Sequence, residues 1–385
     1  MVVYRRIIGI SLYVATIYIS TFVLVLPLLC HKLGFSTYFN KPKEPYKHLE
    51  AENKERTEEA RKHFNSLYKS TTTLPQFDEN GHIDFSIVLL TAHRGSNTHY
   101  SLQVASRLLP QVISDEGRSV LTILNTDPQP GLNEDASYLS TFITVVNSSL
   151  PVTSASRSRE KEDYIVGLEI GLRHNSTYVL MIEDDALPSK RLLTHLRYVL
   201  QNKMPGKFLK SRRDWAFLKL YYPEKWQGFG WPELPELVLF GILGGTLAVW
   251  VQLKMQNTIR RKVSLYCTFT VWGVYVVLVV YTVGRAHWIE LRKLSPVMYS
   301  VVKAPGCCTP GVLYPRFHAY SLANFLKSIQ CSANYPMDVA IDDFANKMNL
   351  ERYLVIPNMI SHIGVHSSLG SQMKHFAEFY LMFKP

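Results

Sequence analysis

Along the chain, hydrophobic and polar positions fall into two regimes. Three stretches run without a charged residue: 7–30, 237–253 and 263–284. As helices they reach, or come close to, the length that crosses a hydrocarbon core of about 30 Å. The first follows Arg5 and Arg6 and is too long for the apolar region of a cleaved signal peptide. It reads as an uncleaved anchor with its N-terminus in the cytosol. The other two are separated by residues 254–262, which hold Lys254, Arg260, Arg261 and Lys262 and no acid. Two apolar runs around a basic turn predict a transmembrane hairpin with a cytosolic turn, and Trp226, Phe229, Trp231 and Trp288 flank it as interfacial anchors. A pair of buried core helices is the competing reading, because the run 237–253 is near the lower length limit.

The remaining sequence alternates as a soluble domain does. Residues 41–70 are rich in Lys and Glu, with helical tendency around 49–68, and predict a solvated stem. Residues 85–91 (Phe-Ser-Ile-Val-Leu-Leu-Thr) form a short apolar run suited to a buried parallel strand. A helical stretch follows, with Leu102, Ala105, Leu108, Leu109 and Val112 on one face, and then a second strand at 119–124. A second helix over 158–173 has Tyr164, Ile165, Leu168 and Leu172 at helical spacing, and a third strand at 178–182 runs into Glu183-Asp184-Asp185. Strand–helix alternation of this kind predicts an α/β fold with a largely parallel sheet. Ligands of such sheets bind beyond the carboxyl ends of the strands, where His93, Arg94, Asn125, Asp127 and the acidic triplet fall.

Three consecutive carboxylates after a buried strand repel one another. Side chains alternate along an extended chain, so Glu183 and Asp185 are expected to point one way and Asp184 the other. A hard divalent cation, Mn²⁺ or Mg²⁺, would relieve the repulsion and stabilise charge on a departing diphosphate. A solvated acidic loop or a helix cap ahead of Pro188 is the plainer alternative.

The segment 158–186, ending Tyr-Val-Leu-Met-Ile-Glu-Asp-Asp-Ala, resembles the metal-binding strand of GT-A glycosyltransferases. It is similar in particular to the GlcNAc-transferase IV group and to the related Golgi GalNAc transferases of GPI anchors, which also carry an N-terminal anchor and a two-span interruption. Residues 360–369 (Ile-Ser-His-Ile-Gly-Val-His-Ser-Ser-Leu) resemble the C-terminal signature of that group. The resemblance implies a GT-A-like fold, a UDP-GalNAc donor, and a metal at Asp185 with Glu183 and His362. His366 does not fit the motif position. His93, Arg94, Asp127, Glu183 and Asp184 are the expected donor-binding residues. It also implies inversion by a single displacement, for which Asp343, or else its neighbour Asp342, is the candidate base; both also suit helix capping. The acceptor so implied is the glycan of GPI-anchored proteins at the lipid bilayer. The rival readings are a GlcNAc transferase acting on N-glycans and a non-catalytic membrane escort.

Composition changes this picture little. The net charge of +11 is scattered apart from the basic turn, and no nucleic-acid-binding motif accompanies it, so a nucleic-acid partner is not expected. Of the five cysteines, Cys30 and Cys267 lie in apolar runs, and Cys331 has Cys307 and Cys308 as candidate partners. Sequons at Asn147 and Asn175 fall in the segment that the charge pattern places in the lumen. The expected layout is a cytosolic tail at 1–6, an anchor at 7–30, a lumenal stem at 31–80, a first domain part at 81–233, the hairpin at 234–284 and a second domain part at 285–385, in the Golgi membrane.

Overall fold

The apolar run that begins at Ile83 becomes the middle of a sheet. The structure, a computed structural model, describes residues 12–69, 82–94, 98–149, 156–205, 214–255, 264–365 and 376–381. Strand β1 (Ile83–Thr91) pairs in parallel with β2 (Ser119–Asn125) on one side and with β4 (Ser176–Glu183) on the other. Phe85, Ile87 and Leu89 enter one core cluster and Val88 the other. Burial on both faces is why the run reads as continuously apolar rather than alternating.

The chain forms two units, of which the larger holds residues 46–222 and 292–374. Its eight strands run in the order β3-β2-β1-β4-β8-β6-β9-β7. The added strands are β3 (Thr144–Asn147), β6 (Trp215–Lys219), β7 (Ser300–Lys303), β8 (Gly311–Pro315) and β9 (Glu351–Ile356). β8 is antiparallel to both β4 and β6, and β7 is antiparallel to β9; the other pairs are parallel. The sheet is therefore mixed and parallel-rich. The chain leaves it after β6 and returns at β7, so β8 and β9 complete a sheet begun before the hairpin.

Helices cover both faces. With α1 (Leu12–Cys30) counted first in the chain, one face carries α2 (Pro45–Lys69), α3 (Tyr100–Ile113) and α6 (Leu192–Asn202). The short α4 (Glu134–Leu139) adds Leu139 to the same cluster. The other face carries α5 (Ser156–Leu172), with α10 (Arg316–Lys327) and α11 (Met337–Lys347) from the later part of the chain. The five positions read as one face of α3 are all buried. On α5, a Cβ at Gly171 would fall 2.4 Å from Val179 Cγ1, so this helix lies closer to β4 than an alanine would permit.

One expectation is overturned here. The charged stretch read as a solvated stem is α2, and Ala60 and Phe64 are buried in the core with Phe85, Leu102 and Leu139. Its Lys and Glu residues occupy the outward face, which dominates the composition and hides the apolar stripe. The cysteines also resolve: Cys307 and Cys308 are bonded to each other, and Cys331 is a free thiol.

The second unit holds α1, α7 (Leu234–Met255), α8 (Leu265–Val283) and α9 (Arg285–Glu290). α1, α8 and the helical stretch Trp231–Met255 that contains α7 are long and apolar enough to cross a membrane. α7 and α8 approach through small residues. A Cβ at Gly273 would lie 3.0 Å from the Gly241 carbonyl, and one at Gly245 would lie 2.7 Å from the Phe269 carbonyl. α1 joins them by a hydrogen bond from Tyr18 Oη to the Val271 carbonyl (2.5 Å) and by Thr21 against Tyr275 (2.8 Å). Residues 5 and 6, most of the basic turn and His366 lie outside the described residues.

Candidate active site

The expected alternation of the acidic triplet stops at its first member. β4 ends at Glu183, and Asp184 and Asp185 stand in the turn before β5 (Ala186–Pro188). Released from the pleat, both aspartates face the same guanidinium. Arg94 Nη2 is 2.6 Å from Asp184 Oδ1, and Arg94 Nη1 donates to Asp185 Oδ2 at 2.6 Å. The alternation of Val179 and Met181 with Leu180 and Ile182 puts Glu183 on the opposite face of the sheet, towards Tyr164.

β5 brings the C-terminal signature to this turn. It pairs antiparallel with β10 (Ile360–His362), with His362 opposite Ala186, and Ile363 N–H donates to the Asp185 carbonyl at 2.8 Å. His362 Nε2 then lies 3.5 Å from Asp185 Oδ1. The Tyr221 ring packs 5.8 Å from the His362 ring, centroid to centroid, and Tyr100 Oη accepts from Val365 N–H at 3.3 Å. A Cβ on Gly364 would sit 2.1 Å from Asp185 Oδ2, so no side chain fits there while the carboxylate keeps its place.

The electrostatics favour a further cation. Asp184 is pushed up to about 6, because burial outweighs the pull of Arg94. Arg94 is held above its ordinary value: burial alone would lower it, but Asp184, Asp185 and Glu183 outweigh that. One guanidinium against three carboxylates leaves an excess of negative charge.

Among the described residues no group of three or more His, Cys, Asp and Glu side chains is gathered closely enough to hold a metal ion. Of the three expected ligands, Asp185 and His362 come together and Glu183 does not. The pair nevertheless fits a divalent cation. Asp185 Oδ1 is buried, has no hydrogen-bond partner, and faces an imidazole nitrogen. With bonds of about 2.1 Å, neighbouring ligands of an octahedral cation stand about 3 Å apart, close to the separation seen here. One carboxylate and one imidazole would leave the remaining positions to water and phosphate oxygens, as Mg²⁺ and Mn²⁺ sites of this kind require.

Beside Arg94 lies a cavity of ≈ 250 Å³, lined by His93, Arg94, Thr98, Tyr100, Asn133 and Asp135 among others. Residues at the end of β2 and just beyond it hydrogen-bond to its lining residues. Asp127 Oδ2 accepts from His93 N–H at 3.2 Å, and Asn133 donates to Asn125 Oδ1 at 3.0 Å. At its rim His99 Nδ1 is 2.7 Å from Asp135 Oδ1, a bond that raises the imidazole above its ordinary value. His93, Arg94, Asp127 and Asp184 are thus neighbours, as the strand ends require.

The two candidate bases have other partners. Asp342 lies 3.2 Å from Arg352 Nη1 and 3.8 Å from the buried Lys219 Nζ, and accepts from Cys307 N–H at 3.4 Å. Asp343 accepts from Tyr335 Oη at 2.8 Å, and Tyr335 is pushed up to about 12 by burial and by that bond. Tyr100, Gly364 and Lys219 were not found by sequence reasoning, whereas Tyr221 belongs to the aromatic group before the hairpin whose faces suit sugar rings. Of the first three, only Gly364 had a signal, as the residue two beyond His362 in the motif.

The family model described as GPI-N-acetylgalactosamine transferase PGAP4 matches residues 85–361, well over half of the chain. Among solved structures, the chain is similar to the mannosyltransferase PcManGT from Pyrobaculum calidifontis in complex with GDP-Man and Mn²⁺, at 11% identity. That match covers 78% of this chain and 97% of that one, with a TM-score of 0.23.

Proposed function

From the premise that the chain belongs to the GPI-N-acetylgalactosamine transferase PGAP4 family, glycosyltransferases acting on GPI anchors, we propose that it moves GalNAc from UDP-GalNAc to the mannose core of GPI anchors on proteins. The observation that carries the reading is the buried Asp185 carboxylate facing His362 beside a cavity lined by Arg94. Asp185 and His362 would hold Mn²⁺ or Mg²⁺, whose chemistry there is neutralisation of charge on the departing diphosphate. Arg94 orients Asp184 and Asp185 through its two short ion pairs, and adds its own positive charge near the phosphates. His93, Asp127 and Asn133 shape the cavity for the nucleoside portion of the donor.

Inversion by single displacement asks for a base on the acceptor hydroxyl. Asp342 is engaged by Lys219 and Arg352, and this leaves Asp343 as the better candidate. The apolar helices and the positive residues around them fit a multi-pass protein of the Golgi membrane with its catalytic unit in the lumen. The test is to purify the full chain in detergent, add Mn²⁺ and screen UDP-sugars for release of UDP. UDP-GalNAc is expected to be turned over fastest, and chelation to stop it. Turnover that survives chelation would remove the metal, and preference for another sugar would remove the donor assignment.

A further inference from the structure

A second cavity, of ≈ 200 Å³, lies between α2 and α3 at the end of β5, and the site described above does not use it. Its wall includes Arg56, Arg107, Lys190 and His63, with Glu59 as its carboxylate and Leu187 at its base. Arg56 is engaged: it donates to Gln103 Oε1 at 2.9 Å and lies 3.9 Å from Glu52. Arg107 and Lys190 have no ion-pair partner among the described residues, and His63 Nε2 is buried without a hydrogen bond. Burial lowers Arg56 and Arg107 below the ordinary arginine value, against the pull of Glu52 on the first and of Glu59 on the second, and Arg107 also repels Arg56. Cations brought together in a partly dry cavity are destabilising unless an anion joins them. The cavity is distinct from the donor site. Along α3, Arg107 is about 10 Å from Tyr100, taking about 1.5 Å per residue.

We propose that this cavity binds a phosphate ester that also bears an ammonium group, as part of the acceptor, with Arg107 and Lys190 against the phosphate oxygens. Arg56 adds to the field, His63 supplies a nitrogen to a phosphate oxygen, and Glu59 receives the ammonium. The proposal rests on the acceptor reading above, and it deepens that reading by naming what the enzyme holds besides the sugar it modifies. Nine residues C-terminal to Arg94, Gln103 belongs to both surroundings: it accepts from Arg56 and donates to the Thr98 carbonyl at the donor cavity's rim.

Calorimetric titration of the full chain in detergent with phosphoethanolamine tests this without turnover. Binding is expected that UDP does not displace and that inorganic phosphate matches only weakly. Arg107→Gln should weaken it about 10-fold, as loss of a charge-assisted hydrogen bond does. Lys190→Gln, at an exposed position with no structural bond, should weaken it in the same direction and guards against misfolding as the cause. Equal affinity in both variants, displacement by UDP, or equal binding of inorganic phosphate would each overturn the proposal. Because calorimetry reads binding alone, absence of UDP release from every donor would defeat the transferase reading and leave this one separately visible.

Discussion

At the scale of single residues the site depends on close approach as much as on charge. Asp185 has three constraints: Arg94 on one oxygen, His362 near the other, and the Gly364 backbone against the carboxylate. Asp185→Ala is expected to abolish transfer while expression persists, since it removes the proposed ligand and no apolar contact. Full activity in that variant would end the metal assignment. Gly364→Ala tests the same carboxylate from the other side. Its methyl cannot coexist with the present Asp185 position, so UDP release should fall roughly 10- to 100-fold, as it does when the groups around metal ligands are disturbed. Asp343→Asn keeps the size and the bond to Tyr335 but cannot take a proton. It should lower kcat by roughly 10²–10⁴-fold with donor KM little changed. Near-normal turnover would pass the role to another group.

Elements explain why residues far apart in sequence meet. β5 and β10 are each three residues long, yet their pairing alone sets His362 beside the turn that holds Asp185. Strands this short have too few apolar positions to show a period, so sequence pattern cannot announce them. α2 illustrates the opposite failure, where composition was plain and misleading. Its Phe64 is fully buried and packs on Phe142 at a centroid distance of 5.0 Å. A helix that only spaced a domain from a membrane would tolerate Phe64→Ala. Here the substitution should destabilise the larger unit by roughly 3–5 kcal/mol, read as a lower melting temperature of the purified chain. An unchanged melting temperature would return α2 to the role of a spacer.

For the whole molecule the question is why a membrane hairpin interrupts a sheet. An N-terminal anchor would already hold the enzyme at a membrane. On the proposed function, two more spans between β6 and β7 would tie the middle of the catalytic chain to the bilayer, which would suit an acceptor whose glycan stays near the headgroups. Replacement of residues 237–284 by a short soluble linker should spare UDP-sugar hydrolysis and remove transfer to GPI-anchored proteins in cells. Normal transfer without the hairpin would make it a brace only. A tag between Lys254 and Arg261 should be reachable from the cytosol alone, whereas Asn175, exposed just before β4, should carry a glycan that glycosidase removes. A lumenal tag would mean that the orientation is reversed.

The elements legible in the sequence were those whose burial is local. The three apolar runs needed only length and the lack of charge, and β1, α3, β2, α5 and β4 needed only contiguous apolar residues with the right period. The acidic triplet was legible because strand, turn and carboxylates are adjacent in the chain. Tertiary structure decided everything that joins separated segments. Antiparallel β8 enters beside β4 after the hairpin, β10 delivers His362, and Arg94 crosses from the end of β1 to bind two aspartates that the pleat had been expected to separate. Sequence pattern reports which side of an element is buried, because that is set by nearest neighbours along the chain. What the buried side meets depends on contacts closed over long loops, and these leave no periodic trace.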